Sequence, residues 1–110
     1  MAQLNNRLEH RWGERVQVNI PVHLSAPALD EIDGCMTNLS LSGALVKSDC
    51  DLRLNTLIEV RIKVPPSPRV AVVLAHVARK VKEGVGVEWC EFAPNVIKDL
   101  LRSRSVRFPP

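Results

Sequence analysis

Two segments of this chain alternate between apolar and polar residues, and this period of two limits the possible folds. In segment 15–24 every second residue is apolar, and within segment 56–64 the same holds from Ile58 to Val64. Successive side chains of a β-strand point to opposite faces, so the pattern predicts two strands with one buried face each. Pro21 lies inside the first segment, which predicts an edge strand or a strand that bends there.

The rest of the chain, up to its last fifth, also has the composition of strands and turns. Short strands are predicted near 35–39 and from 44, a long, well-buried strand over 69–81, and a final strand over 85–92. Segment 25–33 is rich in turn-forming residues and is predicted as a turn region. Six or seven short strands at this spacing are typical of an all-β sandwich or barrel.

The period changes after residue 93. Pro94 occupies a position typical of the first turn of a helix, and four apolar residues then share one helical face: Val96, Ile97, Leu100 and Leu101. A short amphipathic helix is therefore predicted over 94–104. With 110 residues the chain fits one domain, predicted as a flexible leader (1–10), the folded domain (11–104) and a frayed tail (105–110).

Composition excludes several classes of function. Apolar residues make up 45% of the chain and the net charge is only +3, which fits a folded domain with a small anionic ligand better than a nucleic-acid-binding surface. Three cysteines without a Cys-x-x-Cys motif argue against disulfides and zinc, and predict small, reduced, mostly buried residues. No catalytic cluster, signal peptide or membrane span is visible, so we expect a cytoplasmic protein that is not an enzyme and is not inserted in a membrane.

Two features carry the candidate chemistry. Arg7, Arg11 and Arg15 recur at intervals of four, and Arg15 leads directly into the first strand. A guanidinium group can form two parallel hydrogen bonds with a phosphate or with the O6/N7 edge of guanine. The second feature is the segment Asn38-Leu-Ser-Leu-Ser-Gly43, predicted to be a tight turn in which the glycine takes a positive φ or lets a ligand approach the backbone.

In order and surroundings, these two features resemble the PilZ domain family. That family has Arg-x-x-x-Arg before its first strand and Asp/Asn-x-Ser-x-x-Gly later, and this chain has Arg11-Trp-Gly-Glu-Arg15 and then Asn38-Leu-Ser-Leu-Ser-Gly43. The segment from Gly84 to Trp89 resembles the family's closing strand. The resemblance covers roughly residues 7–102 and implies a six-stranded antiparallel β-barrel with a short C-terminal α-helix that binds cyclic di-GMP.

The resemblance also implies roles for individual residues. Arg11 and Arg15 would contact phosphates and guanine edges, while Asn38, Ser40 and Gly43 would hold a guanine from the opposite side. Asn38 stands where the family often has Asp, which keeps a hydrogen-bond acceptor but removes its charge. Further candidates for ligand contact are Arg7, His10 and His76, each of which has an alternative interpretation as a solvated or packing residue.

The resemblance leads to one expectation about function and leaves one alternative within the family. We expect a cyclic di-GMP receptor without a cofactor, which signals to a downstream protein partner when the ligand orders its N-terminal segment. The alternative is an interaction module of type IV pilus assembly that binds no nucleotide. A barrel that stacks single-stranded nucleic acid is poorly supported, because the chain has only two Phe, two Trp and no Tyr.

Overall fold

In the described part of the chain, six strands form a closed antiparallel barrel and a helix follows them. The computed structural model describes residues 15–27, 29–63 and 69–107. The elements in chain order are β1 (Val16–Ala26), β2 (Leu29–Leu39), β3 (Gly43–Lys47), β4 (Leu57–Lys63), β5 (Val70–Val81), β6 (Gly84–Trp89) and α1 (Asn95–Arg107). The strands pair in the order β1-β2-β3-β6-β5-β4, and β4 returns to β1 to close the barrel. The predicted all-β barrel with a C-terminal helix is confirmed.

The inward side of each strand supplies the core. In β4, Ile58, Val60 and Ile62 are almost completely buried, and the residues between them lie on the outer face. Trp89 at the end of β6 is buried as well, and α1 adds Ile97 to the same cluster. Burying one such side chain contributes about 1.5–3 kcal/mol, so the alternation that predicts the strands also accounts for the core.

The turn predicted over 25–33 is wrong, because most of that segment is strand. β1 continues to Ala26 and β2 begins at Leu29, and these two residues pair across a tight hairpin. Asp30 and Asp33 are exposed on β2. Their polar side chains favour turns in isolation, but here cross-strand hydrogen bonds hold the backbone and water solvates the carboxylates.

Burial of β5 also differs from the prediction. This strand was expected to be well buried because it is rich in Val and Ala. However, Val70, Val72 and Leu74 are 49%, 52% and 48% exposed. A strand in the wall of a barrel has one outward face whatever its composition, and in β5 that face is apolar. The barrel therefore has an exposed apolar face along the first half of β5.

Pro21 does not lie on an edge strand, because β1 has neighbours on both sides. Pro21 pairs with Cys35 of β2, and the ladder between β1 and β4 begins one residue later, at Val22. The missing N–H of Pro21 thus interrupts no bond of that ladder.

The three cysteines have free thiols and are less buried than predicted. Cys35 and Cys50 are half-buried, and Cys90 is exposed. In the described part of the chain, no helix combines the length and the apolar character needed to cross a membrane.

Candidate functional site

A β-bulge in β2 turns Asn38 towards the outer face of the barrel. Met36 and Leu39 are both fully buried, although strict alternation would put them on opposite faces. The pairing with β3 shifts between them, from Met36 opposite Val46 to Asn38 opposite Leu45. One extra residue in a strand reverses the order of faces beyond it. Asn38 therefore lies outside the core at the point where β2 ends.

The turn after β2 is held by the hydroxyl group of Ser40. This oxygen accepts hydrogen bonds from the backbone N–H of Ser42 at 3.3 Å and of Gly43 at 3.2 Å. It also lies 3.1 Å from the Ser42 hydroxyl and 3.2 Å from the Gly43 carbonyl oxygen, and the Ser40 side chain is buried. Ser40 thus fixes the shape of the turn, whereas the exposed Ser42 carries the hydroxyl nearest to solvent.

Gly43 begins β3 opposite Glu88 of β6, where the two strands approach each other closely. A Cβ atom at this position would overlap the backbone carbonyl oxygen of Val87. The φ angle of Gly43 is not positive, so the prediction that this glycine takes a positive φ is wrong. The close approach exists, but the neighbour is the backbone of β6.

The register between β1 and β2 brings the two predicted motifs together. Val16 pairs with Leu39, and Gln17 pairs with Asn38. Arg15 precedes Val16, so its backbone lies beside the end of β2, where the Asn38–Gly43 turn begins. Arg15 is exposed and forms no hydrogen bond or ion pair with any residue in the described ranges.

Asn38 carries the clearest sign of an unmet interaction. Its Oδ1 atom is buried, yet it has no hydrogen-bond partner in the part of the chain that the structure describes. Buried polar atoms are nearly always paired, so this oxygen is a candidate acceptor for a hydrogen bond from a ligand. The side chain combines an acceptor oxygen with a donor amide, which suits the edge of a nucleobase.

The structure places His76, a further predicted contact residue, away from the turn. His76 of β5 lies opposite Glu88 of β6, which in turn lies opposite Gly43, so His76 is two strands from the turn. Its Nε2 atom is 3.2 Å from Oε1 of Glu88. Arg7, His10 and Arg11 lie outside the described residues, so their roles remain predictions.

A wider cleft lies on another part of the barrel and does not contain the motifs. Its volume is about 740 Å³, and its lining includes Lys47, Asp51, Lys80 and Glu83. Two of the lysines in this lining are already paired. Lys47 pairs with Glu83 at 3.2 Å, and Lys80 pairs with Asp51. The described residues also contain no cluster of three or more metal-binding side chains. The site indicated by chemistry is therefore the shallow outer surface around Asn38.

One functional contact is not apparent from the sequence. Trp89 is predicted as a core residue and is buried, but its indole N–H also donates a hydrogen bond of 3.2 Å to the carbonyl oxygen of Ser40. Residue order alone does not show that position 89 adjoins the turn, because the two residues meet only when β6 packs beside β3.

Comparisons with known proteins agree with this fold. The chain is similar to the PilZ domain of CeSA from a cellulose-synthesizing bacterium, with 20% identity and a TM-score of 0.64 over 82% of this chain and 93% of that one. It is also similar to the Bacillus subtilis inhibitor of motility MotI/DgrA, with 20% identity and a TM-score of 0.66 over 86% of this chain and half of that one. At this identity the two structures establish a shared fold.

No curated protein matches the chain. The model of the PilZ domain matches residues 5–104, which include both the arginine motif and the Asn38–Gly43 turn. The chain therefore belongs to the PilZ domain family, a family of cyclic di-GMP-binding domains.

Proposed function

We propose that this protein is a receptor for cyclic di-GMP, which it binds with Arg11, Arg15 and the turn that begins at Asn38. The observation that carries the proposal is the buried Oδ1 of Asn38, which has no hydrogen-bond partner among the described residues. Asn38 pairs with Gln17, two residues after the exposed Arg15. Guanine offers N–H donors on one edge and the O6 and N7 acceptors on another. An amide oxygen and a guanidinium group complement these edges.

The remaining residues of the turn prepare the site without needing to touch the ligand. Ser40 binds the backbone N–H groups of Ser42 and Gly43, and Trp89 binds the carbonyl of Ser40. A turn fixed in this way loses little conformational freedom when the ligand binds, and such preorganisation increases affinity. We assign Ser40 and Gly43 mainly to this supporting role.

Signalling is proposed to pass through the segment before β1. Arg11 and Arg15 flank Trp12 and Gly13 in the sequence, so a ligand held by both arginines would order that segment over the barrel and create a surface for a protein partner. Hydrogen exchange of residues 1–14 should slow when cyclic di-GMP is added. Unchanged exchange in the presence of saturating ligand would contradict this mechanism.

Calorimetry with cyclic di-GMP tests the proposal. We expect the wild type to bind and Arg15→Ala to bind at least tenfold more weakly, a loss of about 1.4 kcal/mol. Arg102→Ala is the matched control, because it removes the same charge from an exposed position on α1. Among the described residues, Arg102 pairs with Asp99 at 3.8 Å. Normal affinity in Arg15→Ala would contradict the assignment of the site.

A second candidate function is supported by the exposed apolar face of the barrel. Leu74 of β5 lies two residues from His76, the partner of Leu57 in β4, and Val72 and Val70 continue along the same face. These four apolar side chains are each about half exposed. Such a face favours an interaction module that binds a protein partner without nucleotide. Absence of cyclic di-GMP binding by the wild-type protein would favour this candidate over the receptor.

A further inference from the structure

Three apolar residues of β5 form a stripe on the outer surface of the barrel. Val70, Val72 and Leu74 alternate with residues that face inward, and each is about half exposed. Covering apolar surface contributes about 25 cal/mol for each Å² removed from water. The β5 stripe, as we call these three residues, therefore favours contact with another apolar surface.

The neighbouring strand places a charged residue beside each member of the β5 stripe. The ladder between β4 and β5 runs through this region without a shift in register. Taken from the Val70 end of the stripe to the Leu74 end, the outward-facing partners on β4 are Lys63, Arg61 and Glu59. The row of charges therefore has a positive end and a negative end.

The charges of this row differ in their partners within the chain. Arg61, in the middle, is 3.5 Å from Glu31 and 3.6 Å from Glu59. Lys63 is exposed and forms no ion pair with any other residue that the structure describes. Glu59 and Lys63 are four residues apart on an extended strand, a separation of about 13 Å. These two opposite charges can therefore meet only between two chains.

We infer that two copies of this protein associate through the outer faces of β4 and β5, packed face to face with their strands antiparallel. A two-fold axis that crosses the strands at Val72 brings each Val72 against its counterpart. It also brings Val70 of each copy against Leu74 of the other, so that the two stripes cover each other. The same axis places Glu59 of each copy opposite Lys63 of the other, which is the reciprocal pattern of a two-fold contact.

The charge pattern selects both the second copy and its orientation. Parallel strands would place each charge level with its own counterpart, so that Lys63 would meet Lys63. Antiparallel strands bring opposite charges together at both ends and leave only Arg61 near its counterpart, where Glu31 and Glu59 already compensate its charge. The second copy thus supplies an apolar stripe and the complementary charges at the same spacing.

The size of the face sets the strength of the association. The contact involves three residues on each of two strands, so we expect it to bury less than about 1,200 Å², an area typical of weak, transient complexes. The face contains neither Asn38 nor Arg15, so the inference does not rest on the proposed function.

Sedimentation equilibrium without cyclic di-GMP tests the inference, at protein concentrations from about 10 μM to about 1 mM because the contact is small. We expect the wild type to form dimers as the concentration rises, and Val72→Lys to dimerise at least tenfold more weakly. Val81→Lys is the matched control, because it makes the same change at an exposed position of β5 that lies opposite Gly84 of β6, outside the face. Thermal unfolding of both variants checks that the barrel is intact.

A charge exchange tests the orientation of the two copies. Glu59→Lys and Lys63→Glu should each weaken the dimer severalfold, because each puts like charges together across the interface. The double variant with both changes should dimerise as the wild type does, because opposite charges again face each other. The contacts of Glu59 with Arg61 and Ser25 inside the chain are lost in the double variant as well, so recovery reports the contact between copies.

Each outcome decides a separate part of the inference. A wild type that stays monomeric at every concentration overturns it, and the exposed stripe is then left to a different protein partner. A dimer that Val72→Lys does not weaken uses another surface, which also overturns it. A double variant that dimerises no better than the single ones rules out the antiparallel arrangement. None of these results bears on the binding of cyclic di-GMP, which is measured separately.

Discussion

The indole Nε1 of Trp89 donates a hydrogen bond of 3.2 Å to the carbonyl oxygen of Ser40, which lies 49 residues earlier in the chain. The backbone N–H of Trp89 also donates to the carbonyl of Ser42 at 3.0 Å. One residue at the end of β6 thus fixes two positions of the candidate ligand-binding turn. Trp89 belongs to the core and also holds the turn, so a substitution at Trp89 should alter both the packing of the core and the geometry of the turn.

Trp89→Phe should separate these two roles. Phenylalanine keeps an aromatic ring in the core but removes the donor, which leaves the buried carbonyl of Ser40 without this partner. We expect the free energy of unfolding to fall by about 1–2 kcal/mol in urea titrations. The affinity for cyclic di-GMP should fall severalfold, because the turn is held less firmly. A variant with the stability and affinity of the wild type would show that the hydrogen bond contributes to neither.

Gly43→Ala should destabilise the barrel strongly. The added methyl group would overlap the carbonyl oxygen of Val87, so β3 and β6 would have to move apart, at a cost of about 3 kcal/mol or more. Gly86→Ala is the control within the same strand pair, since its methyl group meets only the movable Arg79 side chain. Thermal or urea unfolding measures both variants. An equal loss of stability in the two variants would contradict the close approach at Gly43.

Asn38→Ala should weaken ligand binding without weakening the fold. The buried Oδ1 atom makes no hydrogen bond within the described chain, so its removal should change the free energy of unfolding by less than about 1 kcal/mol. Affinity for cyclic di-GMP should fall at least tenfold, because a guanine N–H donor loses its acceptor. A large loss of stability with unchanged affinity would instead assign Asn38 to the structure of the turn.

The ion pair between Asp51 and Lys80 predicts a pH effect in the wide cleft. The hydrogen bond and the charge of Lys80 lower the pKa of Asp51 below the ordinary value of an aspartate. Because the folded-state pKa is the lower one, the pair stabilises the protein above the unfolded-state pKa, and this contribution is lost as pH falls through the folded-state pKa. NMR titration should show the low pKa in the wild type and its return towards the ordinary value in Lys80→Met. The same titration midpoint in both proteins would contradict the pairing.

Much of the fold can be predicted from the sequence, since its main signal is local. The alternation of Ile58, Val60 and Ile62 decides which face of β4 is buried, and the apolar face of α1 does the same for the helix. The length of β2 cannot be predicted in this way. In the sequence, Asp30 and Asp33 favour a turn. Only the pairing of β2 with its neighbour shows that both residues lie in a strand, with their side chains exposed to solvent.

The candidate site is predicted in part, because its motifs are contiguous in sequence while its geometry is not. The family resemblance implies ligand contacts for Asn38 and Arg15, but it does not show that Ser40 is buried and bound to its own turn. The outward position of Arg79 in β5 cannot be predicted either. Counting residues along an ideal strand would place Arg79 in the core with Val77, and only the shift in pairing with β6 between these two residues accounts for its exposure.

The bulge at Asn38 shows that motif letters alone do not fix which face of the barrel a residue occupies. Met36 and Leu39 both face the core, and the pairing with β3 skips one residue between them. In a strand of ideal alternation with the same letters, Asn38 would face inward like Met36. Two barrels that share the letters of this motif can therefore differ in the face on which the asparagine stands, and an alignment of letters would not distinguish them.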